Sequence, residues 1–585
     1  MQKLELTWIG KGEEPAVEPR ILLHDSSKDY GDPAAENMLI HGDNLLALKA
    51  LEQDYAGQVK CIYIDPPYNV DAMNEHYEDF VEHSVWLSRM MPRLRILRNL
   101  LSEEGCIWIQ ISDEEQAYLK VICDEVFGRR NFVNMISANM KNIAGASGGG
   151  EDKRLKKNCE YILVYAKNYD TLPLFKGAYE YTPIDILVQQ YRENGVSWKY
   201  TSVLANEGEK VYVGSTKDGN GDEIKIYRRD NFEISSIASL MKKEGLTERE
   251  AYYKYSEMLF EAKDAQSSIR QRVIDAKKEF KIDSDLISIE YVPKSGRNKG
   301  TVYEQFYKGD KCRLFAWLRD VGEMIDGVFH KKDLQGTYWD FTANINNLTK
   351  EGNVVFPHGK KPERLLERIF SMTTNPGDVV LDSFLGSGTT AAVAHKMGRK
   401  YLAIELGEHC FSHCLPRLKA VVDGEQGGIS KAVEWQGGGG FKFYELAPTL
   451  IVKDKHGNPV ISDKYNAQML VAAIAKLNGY TYAPNPDVYW NQGASQTGSY
   501  IYVTTEYLTA AQLDEISSDL PDHERLLICA PAFDVGLGKR YENINVRKIP
   551  QSVLDKCEYG AEDYNLNIIN PPELDADEWE DFEDA

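Results

Sequence analysis

The chain has 585 residues, 43% hydrophobic and 27% charged, a composition typical of a folded protein with about three or four domains. No apolar run approaches the ~20 residues of a membrane-spanning helix, and the opening stretch MQKLELTWIGKGEEPAVEPR lacks the apolar core of a signal peptide. Nine cysteines, an odd number, favour reduced thiols over a disulfide framework, so we expect a cytoplasmic protein without membrane contact.

The net charge of −22 by itself disfavours nucleic acid as a partner, but the distribution of charge matters more than the total. Residues 561–585 form an acidic tail without Lys or Arg. Three other segments are locally basic: KRLKK at 153–157, KSGRNKG at 294–300 and HGKKPER at 358–364. Charge therefore leaves DNA binding open.

Strands and helices alternate from residue 37 to about residue 170, after a Pro- and charge-rich arm. NMLIHGD predicts a strand, NLLALKALEQD a helix and KCIYIDPPY the next strand. EHSVWLSRMMPRLRILRNLLSEEG predicts a helix that ends at Gly105, unless Pro92 breaks it. CIWIQIS, DEEQAYLKVICDEVFG and CEYILVYAKN follow as strand, helix and strand. This alternation predicts a parallel sheet with helices on both faces.

The alternation stops between about 170 and 340, a region rich in Tyr, Lys and Arg that includes a polar stretch with helical character at 246–280. It then resumes with the helix KPERLLERIFSMTT, the strand DVVLDSF, the turn and helix GSGTTAAVAHKMG, and the strand KYLAIEL. The GGGG run at 437–440 marks a boundary before a C-terminal α/β region that includes SYIYVTTEYLTAAQLDEI and ERLLICAPAF.

Two motifs point to chemistry. The strand at 59–64 runs into Asp-Pro-Pro-Tyr (65–68), a rigid, acidic and aromatic corner, although a Pro-rich turn is the plainer interpretation. In 379–406 a strand ends at Asp382, the turn Gly386-Ser387-Gly388 opens a helix, and the next strand ends at Glu405. That order is typical of nucleotide-binding sheets.

The glycine motif fits neither of the common phosphate-binding fingerprints. Thr390 stands where the dinucleotide motif has its third glycine, and no Lys follows the glycines as it does in a P-loop. A Gly-x-Gly pair alone is usually only a turn, but the whole unit predicts a nucleoside-like ligand without a phosphate cradle. S-adenosylmethionine (SAM) is the obvious candidate.

The segment EHCFSHC places His409 with His413, and Cys410 with Cys414, one helical turn apart. No second ligand pair lies nearby at zinc-finger spacing. We therefore expect residues that pack a helix, and no metal site.

Taken together, the motifs resemble the β class of DNA amino-methyltransferases, in which Asp-Pro-Pro-Tyr precedes a target-recognition region and the SAM-binding glycine motif. The stretches LTWIGKGEEP, IHGDNLLALKALEQDYAGQVKCIYIDPPYN and FPHGKKPERLLERI are similar to the Mod subunits of type III restriction-modification systems. The resemblance is specific in 1–170 and 350–410, looser in the C-terminal region and weakest in 170–340.

The resemblance implies an α/β fold: a circularly permuted, Rossmann-like SAM-dependent methyltransferase sheet with an inserted target-recognition domain and a C-terminal α/β domain. The expected divisions are an N-terminal arm (1–36), the first part of the core (37–170), the target-recognition domain (171–340), the second part of the core (341–435), the C-terminal domain (441–560) and the acidic tail (561–585).

The resemblance also implies roles for individual residues. In the catalytic motif Asp65, Pro66, Pro67 and Tyr68, the carboxylate and a proline carbonyl would accept hydrogen bonds from the target amino group, and the ring would stack on a flipped base. The cofactor pocket would include Asp43, Lys361, Pro362, Asp382, Phe384, Gly386, Gly388, Thr389 and Glu405, although Asp43 and Thr389 could instead cap helices. Candidate phosphate contacts, with solvated loops as the alternative, are Lys153, Arg154, Lys156, Lys157, Lys294, Arg297 and Lys299.

These expectations describe a sequence-specific methyltransferase acting on the 6-amino group of adenine, as the Mod subunit of a type III system. Its partners would be double-stranded DNA, a second copy of the chain and a separate restriction (helicase-nuclease) subunit. The initial Asp of the motif favours adenine, because enzymes that modify cytosine more often have Ser there. The alternatives are a solitary or other defence-associated enzyme, a cytosine 4-amino methyltransferase, an enzyme acting on RNA or protein glutamine, and a catalytically silent DNA-recognition subunit.

Overall fold

A computed structural model describes residues 5–560 except for 14, 70–81, 142–154, 156, 178, 295–297, 346, 347, 357, 358, 550–552, 554, 555 and 558. The chain divides into two compact units, one formed by residues 1–176 and 336–585 and the other by residues 177–335. The predicted acidic tail lies outside the described residues, as do four predicted phosphate contacts: Lys153, Arg154, Lys156 and Arg297.

The first unit is built on a mixed β-sheet. In the order in which they pair across the sheet, its strands are β1 (Leu22–His24), β22 (Gly440–Leu446), β3 (Met38–His41), β21 (Lys400–Glu405), β20 (Val379–Asp382), β4 (Val59–Ile64), β5 (Leu101–Ile111), β7 (Cys159–Ala166), β6 (Phe132–Asn139) and β19 (Tyr338–Asp340), with β2 (Tyr30–Gly31) beside β22. The strands from β22 to β5 run parallel to one another.

The prediction of an all-parallel sheet was wrong at β7, which runs antiparallel to both β5 and β6. β6 and β7 follow each other in the chain and pair directly, as antiparallel neighbours can without the crossover that parallel strands need. β7 therefore begins at the edge of the sheet where β4 and β20 end.

Helices cover both faces of this sheet. They are α1 (Asn44–Tyr55), α2 (His83–Leu100), α3 (Asp113–Cys123), α8 (Thr342–Ile345), α9 (Glu363–Thr373), α10 (Thr389–Lys396) and α11 (Leu415–Val422). Alternate residues of β4 face opposite ways: Ile62 and Ile64 pack with α1, α2 and α3, whereas Cys61 and Tyr63 pack with α9, α10 and α11. The strand is buried on both faces, which explains its almost uninterrupted apolar sequence.

The helix predicted to end at Gly105 was wrong at its C-terminal end. α2 continues through Pro92 and ends at Leu100, and β5 begins at Leu101. A side chain at Gly105 would place its Cβ 2.8 Å from the carbonyl oxygen of Val59. The glycine thus permits close approach of two strands rather than ending a helix.

The second unit is largely antiparallel β-structure. One sheet contains, in pairing order, β10 (Glu209–Lys217), β11 (Glu223–Asp230), β14 (Leu286–Tyr291), β15 (Tyr303–Lys308), β16 (Arg313–Trp317), β13 (Leu259–Lys263), β9 (Ser202–Asn206) and β12 (Glu233–Ser236). A second contains β17 (Gly322–Ile325), β18 (Val328–Leu334) and β8 (Tyr179–Pro183). The helices are α4 (Ile184–Glu193), α5 (Ile237–Glu244), α6 (Glu248–Tyr255) and α7 (Ser268–Glu279).

The helical reading of 246–280 was wrong in its middle, where β13 separates α6 from α7. The physical reason is tertiary packing, because Phe260 of β13 is 1% exposed and stacks on Phe315 of β16 with ring centroids 3.6 Å apart. Such burial outweighs a local helical preference.

The C-terminal part of the first unit is α/β. It contains a hairpin of β23 (Ile451–Lys453) and β24 (Pro459–Ile461), a sheet of β25 (Thr481–Tyr482), β26 (Gly493–Ala494), β27 (Ser499–Val503), β28 (Arg525–Ala530) and β29 (Ile544–Lys548), and helices α12 (Ala467–Leu477) and α13 (Ala510–Asp519). A cavity of about 680 Å³ includes Met38, Val379 and Lys400 at the amino ends of three core strands, together with Lys476 of α12. Within the described residues, no helix is both long and apolar enough to cross a membrane.

We expect Leu381→Ala to lower the free energy of unfolding by about 2–5 kcal/mol, because it removes a fully buried side chain from β20 and leaves a cavity. Val355→Ala, at a site that is 65% exposed, should change it by about 0.5 kcal/mol or less. Urea denaturation of both variants measures the difference. Equal effects would contradict the burial of β20.

Candidate active site

Two strand ends meet at one edge of the first unit's sheet. β20 pairs in parallel with β4, with Leu381 opposite Ile62. Asp382 is the last residue of β20, and Asp65 follows the last residue of β4. Ligands of open α/β sheets bind at the carboxyl ends of the strands, so this edge is where a site is expected.

Asp65 and three other polar side chains form a cluster at this edge. The Tyr68 hydroxyl lies 2.7 Å from Asp65 Oδ1 and 2.8 Å from Glu160 Oε2. Lys361 Nζ donates to the Tyr68 hydroxyl at 2.8 Å and lies 3.0 Å from Asp65 Oδ2 and 3.2 Å from Glu160 Oε2. We call these residues the corner cluster. Lys361, predicted in the cofactor pocket, contacts the catalytic motif directly.

The corner cluster contains two partly buried carboxylates and one buried ammonium group. Burial raises the pKa of Asp65, and the neighbouring Lys361 only partly offsets it. Burial would also raise the pKa of Glu160, but Lys361, together with hydrogen bonds from Gln110 and Tyr68, holds it below its ordinary value. Although burial acts to lower it, the pKa of Lys361 rises to about 12 because both carboxylates favour the ammonium form. Asp65 is therefore the more easily protonated carboxylate.

The backbone of the motif is held from both sides. Trp86 Nε1 donates to the carbonyl of Pro67 at 3.0 Å. Asn69 leaves the corner with φ of 55°, a left-handed conformation that Asn tolerates, and its amide donates to Glu115 Oε1 at 2.6 Å. In the part of the chain that the structure describes, no donor is recorded on the Pro66 carbonyl, which leaves that oxygen available as an acceptor.

Asp382 organises the start of the glycine turn. Its Oδ1 accepts from the backbone N–H of Phe384 at 2.9 Å, and its Oδ2 accepts from the Thr390 hydroxyl at 2.5 Å. Burial raises the pKa of Asp382 to about 7, against these two hydrogen bonds, with Asp65 and Glu405 adding to the rise. The Asp382 carboxyl group thus holds both ends of the glycine turn in place.

Glu405 holds the other side of the turn. Its carboxylate accepts from the backbone N–H of Gly386 at 2.7 Å and of Gly407 at 2.9 Å, and it pairs with His409 at 2.9 Å. A carboxylate has about four acceptor positions, so hydroxyl groups of a ligand could still bind. Glu405 therefore holds the backbone of the glycine turn, a structural role in addition to the ribose contact predicted for it.

The turn leaves room for a ligand. Gly386 and Gly388 have φ of 58° and 84°, values that favour glycine. Among the residues that the structure describes, a Cβ added to Gly386 would meet only the Phe384 carbonyl, at 4.0 Å, and so would project into open space. The buried Ser383 hydroxyl has no hydrogen-bond partner among the described residues. Open space beside a glycine backbone and an unsatisfied hydroxyl fit a nucleoside-like group.

Asp43 caps a helix, one of the two roles considered for it. Its Oδ1 accepts from the Leu46 N–H at 3.1 Å, and its Oδ2 lies 3.5 Å from Arg93. Arg93 also donates to Asn44, whose amide donates to the Ser383 carbonyl at 2.8 Å. Asp43 therefore connects to the glycine turn through its neighbours.

A buried ion network supports the turn from below. Arg417 donates to the Ser387 carbonyl at 3.1 Å, to the Thr389 hydroxyl at 2.8 Å and to Glu363 at 2.8 Å. Lys396 pairs with the other oxygen of Glu363, also at 2.8 Å. The charged side chains of Glu363, Lys396 and Arg417 are all 0% exposed. Thr389 belongs to this network, and Pro362 immediately precedes α9 as its N-cap residue.

Two cysteines that follow β21 pack near the glycine turn. Cys410 and Cys414 are buried, and Cys414 Sγ lies 3.0 Å from the Gly386 carbonyl oxygen. Among the described residues, no group of three or more His, Cys, Asp or Glu side chains is arranged to hold a metal ion.

The described members of the predicted DNA-contact set are on the surface. Lys157 pairs with Asp113 at 3.0 Å and with Glu114, and Lys294 pairs with Asp222. Lys299 is exposed in a turn. Surface ion pairs of this kind are weak enough for a phosphate to replace the carboxylates.

Sequence reasoning missed Glu160 and the buried ion network. A charged residue near the start of the strand CEYILVYA was the available signal for Glu160. Glu160 lies at the corner cluster because β7 runs antiparallel to β5, which brings the start of β7 to the edge where β4 ends. The partners in the buried network come from three separate helices, α9, α10 and α11, and no local pattern links them.

Comparisons with known proteins identify the family of the chain. A family model described as DNA methylase matches residues 59–414. The chain is 44% identical over 419 residues to the probable type III restriction-modification enzyme HindVI Mod subunit of Haemophilus influenzae, which covers 72% of this chain and 55% of that protein. It is 25% identical over 512 residues to the EcoP15I Mod subunit of Escherichia coli, covering 78% of this chain and 73% of that one. The chain thus spans little more than half the length of the HindVI relative.

We expect Arg417→Met to lower the free energy of unfolding by about 3–5 kcal/mol, because it leaves Glu363 as a buried carboxylate without its arginine. Arg364→Met is the matched control, since Arg364 is 43% exposed and its pair with Glu367 should contribute about 1 kcal/mol or less. Chemical denaturation followed by tryptophan fluorescence compares the two. Similar small losses would show that the buried network does not stabilise the turn.

Proposed function

The chain belongs to the DNA methylase family whose model matches residues 59–414, and on that premise we propose that it transfers a methyl group from SAM to the 6-amino group of adenine in DNA. The observation that carries the proposal is the placement of the Asp65–Tyr68 motif beside a glycine turn with open space, through the pairing of β4 with β20. We further propose that it is the modification subunit of a type III restriction-modification system.

The proposed chemistry needs acceptors for the two N–H groups of a poorly nucleophilic amine. Asp65 offers carboxylate oxygens, and the Pro66 carbonyl offers the second acceptor, since Trp86 already donates to Pro67. Two fixed acceptors favour the pyramidal nitrogen whose lone pair can attack. Tyr68 offers a ring on which a base flipped out of the duplex could stack. Orientation by these fixed groups is the main contribution we assign to the protein.

The cofactor would be held by the glycine turn. When bound, SAM supplies an electrophilic methyl group carried on a sulfonium. We assign contacts with it to Phe384, the backbone at Gly386 and Gly388, the Ser383 hydroxyl, and Glu405. Asp382 and Thr389 would act beneath them by holding the turn in shape.

The partners follow from the same proposal. The relatives named above are Mod subunits of type III systems, which supports DNA as the substrate and a separate restriction subunit as a partner. We assign recognition of the target sequence to residues 177–335, the separate antiparallel unit. The resemblance to Mod subunits also favours a homodimer, and a bacterial DNA substrate favours the cytoplasm.

We expect DNA from a methylation-free bacterial host that expresses the protein to contain 6-methyladenine in one short motif. Asp65→Ala should abolish the modification, because it removes the acceptor at the corner, whereas Asp170→Ala removes a carboxylate that is exposed at the surface and should leave it intact. Single-molecule sequencing reads the base and its motif together. Modified cytosine would overturn the choice of base, and no modification by soluble protein that binds SAM would overturn the proposed function.

We expect isothermal titration calorimetry to detect SAM binding to the wild-type protein and none to Gly386→Ala, because the new methyl group enters the open space of the turn. Gly398→Ala is the control for backbone strain. Gly398 has φ of 70°, but its Cβ would lie in ordinary contact, 3.8 Å from Pro376. Equal weakening by both variants would indicate strain rather than blockage of a ligand site.

A further inference from the structure

In the corner cluster, the single hydroxyl proton of Tyr68 lies between two carboxylates that could each accept it in a hydrogen bond. The Tyr68 hydroxyl carries one proton but lies within hydrogen-bonding distance of both Asp65 and Glu160, at 2.7 and 2.8 Å. It can therefore donate to only one of the two carboxylates at a time. Because it also accepts from Lys361, its position is set by all three charged neighbours.

Lys361 likewise interacts with both carboxylates. An ammonium group has three N–H donors, and Lys361 has three partners: the Tyr68 hydroxyl, Asp65 Oδ2 and Glu160 Oε2. One positive charge thus serves two carboxylates. With both carboxylates ionised the cluster keeps one net negative charge at the place where the target amino group would donate.

We propose that Glu160 and Lys361 are positioning residues for the methyl transfer: Lys361 orients Asp65 and Tyr68 and favours the anionic form of Asp65, and Glu160 binds part of the ammonium so that the oxygens of Asp65 stay accessible to the target amine. This inference rests on the proposed function, which it deepens. Without Glu160, Lys361 would bind Asp65 alone and compete with the amine for its oxygens. Without Lys361, two neighbouring carboxylates would repel each other and Asp65 would take up a proton more readily.

Glu160 is itself held rigidly from within the sheet. Gln110 of β5 donates from its side-chain amide to Glu160 Oε2, and the Tyr63 hydroxyl of β4 donates to Gln110 Oε1 at 2.6 Å. Gln110 is fully buried and Tyr63 is 2% exposed. This chain of hydrogen bonds fixes the carboxylate that holds Lys361, which is what a positioning residue requires.

The charges around Asp65 predict opposite effects of removing each neighbour. Burial has the largest effect on the pKa of Asp65 and raises it, Lys361 and Tyr68 lower it, and Glu160 raises it. Asp382 and Tyr63 also face Asp65. Glu160→Gln removes a negative neighbour, so the pKa of Asp65 should fall. Lys361→Met removes the positive neighbour, so the pKa should rise.

The test is the pH profile of kcat for wild-type protein, Glu160→Gln and Lys361→Met on duplex DNA containing the target found by sequencing. Activity requires ionised Asp65, so the acid limb of the profile should move to lower pH in Glu160→Gln and to higher pH in Lys361→Met. The plateau should fall about 10- to 100-fold in both, because the acceptor is misplaced. Lys361→Arg keeps the charge and should restore the acid limb to near its wild-type position.

A second readout does not need turnover. Fluorescence of 2-aminopurine placed next to the target adenine, which keeps its 6-amino group, should show the same opposite shifts in the pH dependence of base flipping when the non-reactive SAM analogue sinefungin is bound. Shifts in the same direction, or none, in correctly folded variants would overturn the inference. A wild-type protein that methylates no DNA would instead overturn the proposed function, so the two failures are distinguishable.

Discussion

The parallel pairing of β20 with β4 is the constraint on which the site depends. It joins two segments that are far apart in the chain, the Asp-Pro-Pro-Tyr corner and the glycine turn, at one edge of a sheet. Both strands are buried on their two faces, so a change of register would move apolar side chains away from the helices that cover them. Packing of the core thereby determines which polar groups meet at the edge.

The polar groups at that edge are arranged in two layers with different tasks. Asp65, Tyr68, Glu160 and Lys361 face the place assigned to the target base, and with both carboxylates ionised their two negative charges and one positive charge leave one net negative charge there. Beneath the glycine turn, Glu363 is matched by two cations, Lys396 and Arg417, and this pairing is fully buried. Removing one member of such a network leaves an uncompensated charge, which makes the turn sensitive to single substitutions.

Residues 177–335 form a compact, largely antiparallel unit of their own. Its strands pair with one another and its core is its own, so substitutions on its surface need not disturb the sheet that carries the corner cluster. In the proposed function this separation lets target recognition change while the chemistry stays the same.

The sequence by itself determined the chemical motifs and most of the core elements, because strand ends, glycine turns and helix periodicity are local patterns. Asp65–Tyr68 and Gly386–Gly388 could be identified from their neighbours along the chain. Only the tertiary structure decided the direction of β7, the end of α2 at Leu100, and the strand at Leu259–Lys263, since each depends on packing between distant segments. For the same reason Glu160 and Arg417 could not be read as site residues: their partners are brought to them by the folding of the sheet and its helices, and not by spacing in the chain.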